Sequence, residues 1–160
     1  MLTGSVAMSY YATPRMTRDI DIIVALDRSH IEKISNLFGS DYYVSQEAVT
    51  DAIRRKSMFN VIHFESVIKV DFIVLTNTPF AVSEFGRRSP LNLGDFQTTI
   101  ISREDLILSK LVWAKDSGSE MQLRDVRNLL GRDCDLDYLR TWAEELTVKE
   151  TLESLLNTHE

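Results

Sequence analysis

Two carboxylates one residue apart, Asp19 and Asp21, open the apolar run Ile22-Ile23-Val24, and a third, Asp71, sits inside a second run, Val67-Ile68-Lys69-Val70-Asp71-Phe72-Ile73-Val74. On an extended strand, alternate residues share a face about 6–7 Å apart. Asp19 and Asp21 can therefore reach one small volume, as a hard divalent cation such as Mg²⁺ requires of its protein ligands. A strand carrying Asp71 beside the first would add a third oxygen donor. Ahead of the pair, Gly4-Ser5 begins a short segment of small and apolar residues, Val6 to Ala12. A helix starting there would turn its first backbone N–H groups toward an anion. Gly-Ser, a paired-Asp strand and a single-Asp strand together read as a phosphoryl-transfer site.

The Asp-x-Asp spacing alone proves little, because the chain repeats it in Asp133-Cys134-Asp135-Leu136-Asp137. There the acids precede a helical pattern (Leu136, Leu139, Trp142, Ala143, Leu146) and read as N-cap and first-turn residues. Asp19 and Asp21 differ in lying on a strand, where acids at the edge of apolar residues need a partner charge. Arg15 and Arg18 offer one, in a salt-bridge cluster that competes with the metal reading.

Composition narrows the class. At 160 residues, 44% hydrophobic and 26% charged, the chain suits one compact domain and is neither disordered nor membrane-like. No apolar run approaches a transmembrane length and no signal-peptide pattern opens the chain, so no membrane partner is expected. Cys134 is alone, which excludes an intrachain disulfide and a cysteine zinc site and fits a reducing cytoplasm. The net charge of −6 argues against broad nonspecific nucleic-acid binding.

The elements that must position the acids alternate, giving an α/β fold. Strands are predicted over Asp19–Leu26, Tyr42–Val44, Met58–Phe64, Val67–Leu75 (fully buried and central) and Phe96–Ile101. Helices are predicted over Ser29–Phe38, with Ile31, Ile34, Leu37 and Phe38 on the buried face, and over Gln46–Arg55. Phe80–Arg88 reads as a short helix closed by Pro90. From Ser102, whose spacing to Asp105 resembles a capping box, the pattern is helical: Leu106, Leu108, Leu111 and Val112 form an apolar face. Further helices follow over Glu120–Leu130, Leu136–Glu145 and Val148–Leu156. The layout is an α/β core over 1–101 with a helical region over 102–160 packed on it as a single unit.

Gly4-Ser5-Val6-Ala7 through Thr13-Pro14-Arg15-Met16-Thr17-Arg18-Asp19-Ile20-Asp21, with Ile101 to Leu111 and Arg124-Asp125-Val126 downstream, resembles the signature of the nucleotidyltransferase superfamily that includes DNA polymerase β. The closer likeness is to its small bacterial branch, the minimal nucleotidyltransferases and AbiEii-like toxin proteins, and spans roughly positions 2 to 130. The resemblance implies a nucleotidyltransferase-like mixed β-sheet with flanking helices, followed by a helical C-terminal half. It also implies an enzyme that moves an NMP from an NTP to a hydroxyl of a protein, tRNA or small molecule, in some relatives as a toxin–antitoxin component. Asp19, Asp21 and Asp71 would then hold two Mg²⁺ ions, with Asp71 at the base position. Gly4, Ser5 and Lys110 would contact the nucleotide, and Arg15, Arg18 and Asp125 would be accessory. A catalytically silent nucleotide- or partner-binding module with the same fold is the alternative.

Other residues carry weaker signals. Lys110 also reads as a surface lysine, and Asp125 either orients Lys110 or pairs with Arg124 or Arg127. Arg54-Arg55-Lys56 and Arg87-Arg88 could meet a polyanion, but charge runs are usually solvated faces. His30, His63 and His159 lack partners at metal-ligand spacing. Trp113 and Trp142 read as core, and Tyr10 and Tyr11 as residues that shape the pocket. Relatives in the resembled branch carry a further N-terminal helix; either it is missing here through truncation or start-site choice, or another subunit, in a homodimer or with a toxin or antitoxin partner, fills its place.

Overall fold

The computed structural model describes residues 1–14, 16–17 and 19–157, the side chain of Ser35 excepted. Strand β1 (Leu2–Thr3) runs directly into helix α1 (Gly4–Tyr11), and β2 (Asp19–Val24) returns antiparallel beside β1. A 3₁₀ turn at Arg28–His30 and helix α2 (Ile31–Leu37) lead to β3 (Tyr42–Val44) and helix α3 (Gln46–Arg55). Strands β4 (Met58–His63) and β5 (Lys69–Val74) form a hairpin, followed by α4 (Pro79–Gly86) and a second hairpin, β6 (Ser89–Leu93) and β7 (Phe96–Ile100). Helices α5 (Arg103–Ser117), α6 (Glu120–Leu129), α7 (Leu136–Glu145) and α8 (Lys149–Asn157) complete the chain. The sheet order is β3-β4-β5-β2-β1-β7-β6, with β2 parallel to β5 and β1 parallel to β7 and the other pairs antiparallel.

Two apolar clusters clamp this sheet. The smaller joins α3 (Val49, Ala52, Ile53) to Phe59, Val61 and Val74, with Phe59 and Phe72 stacked at 5.1 Å. The larger joins α1, β7 and the C-terminal helices around Leu106, Ile107, Leu108 and Leu111. Helix α5 is buried on nearly every side (its buried residues include Asp105 and Lys110), which marks it as a central helix rather than a surface one. Ser102 caps it by accepting from the Asp105 N–H at 3.2 Å. The Asp105 carboxylate does not close a reciprocal box: it accepts the Ser102 hydroxyl at 2.6 Å, Tyr138 Oη at 2.6 Å and Arg87 Nε at 3.1 Å. This buried acid ties α4, α5 and α7 together, and burial with the Asp105 hydrogen bond pushes Tyr138 up to about 12. Among the described residues no helix is long and apolar enough to cross a membrane.

The structure corrects several expected elements. Leu37 is 73% exposed, because α2 ends there and only Ile31, Ile34 and Phe38 reach the smaller cluster. The second apolar run is not a fully buried strand: Val67 and Ile68 are exposed and belong to the β4–β5 connection, with Val67 at φ 55°. Pro90 does not close a helix but lies inside β6, at the end of the sheet order, where a missing N–H is tolerated. The β6–β7 hairpin was not expected. Its signal is Gly94-Asp95 between paired Leu93 and Phe96, with Gly94 at φ +59° supplying the turn.

Candidate active site

The parallel pairing of β2 and β5 sets Asp19 beside Lys69, Asp21 beside Asp71, and Ile23 beside Ile73. Alternation puts these pairs on one face of the sheet. A like-charged pair in register is unfavourable in an ordinary sheet, and here Asp71 is only 6% exposed. Thr3 of β1 stands opposite Asp21 on the other side. The chain then turns at Gly4, whose φ of +60° is left-handed and whose added Cβ would fall 1.9 Å from Asp21 Oδ2. Glycine is required there both by the backbone and by the carboxylate pressed against it.

The local field follows from this crowding. Burial raises the Asp21 pKa most, the Asp71 charge raises it further, and Asp19 adds to both. The Ser5 backbone N–H and the Lys110 charge pull it back. The Ser5 amide, in the first turn of α1, thus serves Asp21. Lys69 Nζ donates to Asp71 Oδ2 at 2.9 Å and lies 3.7 Å from Asp19 Oδ2. The Asp71 hydrogen bond is the largest cause that raises the Lys69 pKa. Asp71 Oδ1 is buried with no hydrogen-bond partner. Among the described residues no three His, Cys, Asp or Glu side chains converge on one cation position, and Lys69 bridges two of the acids expected to do so.

A cavity of about 560 Å³ opens beside these residues. Thr3, Gly4, Asp21, Ile23 and Ile73 line it from the sheet, and Thr76 and Thr78 from the loop after β5. Phe80 and Glu84 of α4, Ser109, Lys110 and Trp113 of α5, and Trp142 of α7 line the helical side. Of the sequence candidates, Gly4, Asp21 and Lys110 meet in this cavity; Asp71 is Asp21's neighbour in the sheet, while Ser5 and Asp19 do not line it. Lys110 is no surface lysine: it is 2% exposed and donates to Asp125 Oδ2 at 2.7 Å and Gln122 Oε1 at 2.9 Å. Asp125 therefore orients Lys110, as one of its two readings held. Arg15, Arg18 and His159 lie outside the described residues.

Trp113 is 53% exposed and faces the cavity, so it is not core, and Trp142 packs edge-on against Phe80 with centroids 5.4 Å apart. Tyr10 and Tyr11 do not line the cavity; Tyr11 donates to the Ile101 carbonyl at 2.7 Å. His30 bonds Asp27 and His63 bonds Ser66. Arg54 and Arg55 share Asp51, and Arg87 pairs with Asp105, while Lys56 and Arg88 donate to backbone carbonyls. Asp135 caps α7 by accepting from the Tyr138 N–H at 2.9 Å, and Asp133 pairs with Arg103, so the second acidic cluster is structural.

Two residues escaped the sequence reading. Lys69 could have been found by alternation, since it is two residues before Asp71. Glu84, a lone acid in an apolar helix, is 5% exposed, accepts the Ser109 hydroxyl on Oε1 at 2.6 Å and is pushed up by burial to about 7.

No family model matches the chain, and no curated protein matches it in sequence. An antigenic nucleotidyltransferase-like protein from Paracoccidioides brasiliensis, known from its crystal structure, is similar over 98% of this chain and 83% of that one, with a TM-score of 0.50 and 19% identity. The fold is nucleotidyltransferase-like. In that fold the strand pair β2–β5 and the β1–α1 corner bring Asp21, Asp71 and Gly4 together.

Two outcomes follow from the buried charges. Asp125→Ala removes the carboxylate that neutralises Lys110 and should lower unfolding stability in urea by about 3–5 kcal/mol, while the double variant Lys110→Met, Asp125→Leu recovers most of it; an unchanged single variant contradicts the pair's role. Glu84 ionises near 7 in the fold and near 4.5 when unfolded. The wild-type protein is therefore fully stabilised below 4.5, and that stability is lost as pH rises through 7. Glu84→Gln should match wild type near pH 4.5 and exceed it at pH 8.5 by on the order of 3 kcal/mol; the same difference at both pH values contradicts the shift.

Proposed function

We propose that this protein is a Mg²⁺-dependent nucleotidyltransferase that moves an NMP from an NTP to a hydroxyl acceptor on a protein, a tRNA or a small molecule. One observation carries the reading: Asp71 Oδ1 is buried and unpartnered beside Asp21, whose own charge is unfavourable there. A fold keeps such a pair where another charge completes it. The donor set, carboxylate oxygens alone, suits Mg²⁺, and Asp19, Asp21 and Asp71 are the residues that would hold it. When bound, the ion neutralises charge on the phosphates and favours the ionised acceptor hydroxyl.

The chain's own residues do the rest. Gly4 lets the β1–α1 corner close against Asp21, and the Ser5 N–H steadies that carboxylate. Lys110, fixed by Asp125 and Gln122, sets a positive charge on the cavity wall where the triphosphate would lie. Aromatic and aliphatic side chains exclude water from the remainder. The nucleotidyltransferase-like structural neighbour supports this chemistry, and the proposal extends to a cytoplasmic member of the small bacterial branch of minimal nucleotidyltransferases and AbiEii-like toxins, a toxin–antitoxin component that meets its toxin, antitoxin or second copy there.

A silent binding module is the second reading, and Lys69 favours it: its ammonium already bridges Asp71 and Asp19. Calorimetric titration of ATP, GTP, CTP and UTP, with and without Mg²⁺, on wild type and Asp71→Asn separates the readings. The enzyme reading expects Mg²⁺-dependent binding that falls at least about tenfold in the folded variant. Binding indifferent to Mg²⁺ and to the substitution supports a silent nucleotide-binding module, and the absence of binding for all four nucleotides contradicts the enzyme reading and leaves a partner-binding module.

A further inference from the structure

The cavity holds a second polar feature that phosphate and metal chemistry leave unused. Glu84 of α4 is buried, with one carboxylate oxygen, Oε1, engaged by Ser109. Among the described residues, Oε2 has no hydrogen-bond partner, and Glu84 forms part of the cavity wall. Around it stand aromatic side chains: Phe80 of the same helix, Trp142 packed edge-on against Phe80, and Trp113 with half of its surface uncovered. Planar faces next to one fixed acceptor are what a nucleobase requires: stacking is tolerant of sequence, and the hydrogen bond is not.

Resting on the reading above, we propose that Glu84 selects the base of the nucleotide by accepting a hydrogen bond from an exocyclic amine. The preferred substrates then carry such an amine (adenine or cytosine), and a base presenting a carbonyl in its place, hypoxanthine for adenine or uracil for cytosine, is rejected. The rejection operates above pH 7, where Glu84 is ionised, and comes from two acceptors facing each other, which leaves both without a proton. Ser109 fixes which carboxylate oxygen is free, so the selector has a set direction.

Burial holds Glu84 up to about 7 and so makes its ionised form costly in the empty cavity. A donor arriving at Oε2 offsets that cost. Retaining a destabilising carboxyl on the wall of a cavity, when a glutamine or an apolar residue would fit the same space, is the pattern of a group kept for binding.

The test is calorimetric binding at pH 8.5, in Mg²⁺, of matched nucleotides to the full chain: CTP against UTP, and ATP against ITP. Wild type should favour the amine-bearing member of the tighter-binding pair by about tenfold or more. Glu84→Gln keeps the shape and adds an amide donor, so its preference should shrink to near parity or turn toward UTP or ITP. Equal binding of the matched nucleotides by wild type overturns the inference without touching the enzyme reading, and requires no variant to fold. A preference that survives unchanged in Glu84→Gln overturns it as well. If none of the nucleotides binds, both the selector and the nucleotidyltransferase reading fall together.

Discussion

The structure depends on one unfavourable contact that its topology enforces, Asp21 beside Asp71 at the same level of two parallel strands. Adjacent carboxylates repel, and one of them is almost fully buried, so neither strand gains stability from the pairing. What holds them there is everything else in β2 and β5. The flanking pairs are apolar (Ile20 with Val70, Ile22 with Phe72, Ile23 with Ile73) and anchor both strands in the two hydrophobic clusters. Sheet register is all-or-none, since a slip by one residue would turn every one of these side chains to the wrong face. The acids are therefore carried into contact by their neighbours.

The surrounding charges are arranged as a response to that contact. Lys69 lies one pair away and draws on Asp71 and Asp19; the Ser5 amide draws on Asp21. Lys110 approaches from the helical half, and it can be buried only because Asp125 and Gln122 receive it. Asp105 plays the corresponding part farther out, gathering Arg87, Ser102 and Tyr138 so that α4 and α7 close over the cavity. Helix α5 thus supplies Lys110 to the cavity wall, and Phe80 of α4 and Trp142 of α7 line the cavity beside it.

Much of this was legible in the sequence where the information is local. The strands bearing Asp19, Asp21 and Asp71, the helix over Gln46–Arg55 and the helix starts at Ser102 and Asp135 follow from alternation, amphipathic spacing and caps. The losses have physical reasons. Val67 and Ile68 look like strand because apolar β-branched residues are enriched there, yet a connection between strands can expose them. Pro90 hid a strand, because it is excluded from central strands and tolerated at the edge. Lys69 was within reach of alternation, two residues before Asp71, whereas Glu84 and Trp113 owe their roles to residues far away in sequence, across a helix pair and a cavity. No local pattern announces the partners of Glu84 and Trp113, and so the acids of the sheet were visible where the carboxyl across the cavity was not.

The central claim is that Asp21 and Asp71, closed in by the Gly4 corner, form a divalent-cation site. Titration of Mn²⁺ into the isotopically labelled protein, followed by paramagnetic broadening of backbone amide resonances, tests it with no assumption about nucleotide or acceptor. The account predicts that substoichiometric Mn²⁺ first erases the amides of Gly4, Ser5, Asp21 and Asp71, and that excess Mg²⁺ restores them. Broadening that begins instead at Asp133, Asp135 and Asp137, or that spreads evenly over the acidic surface, would contradict it.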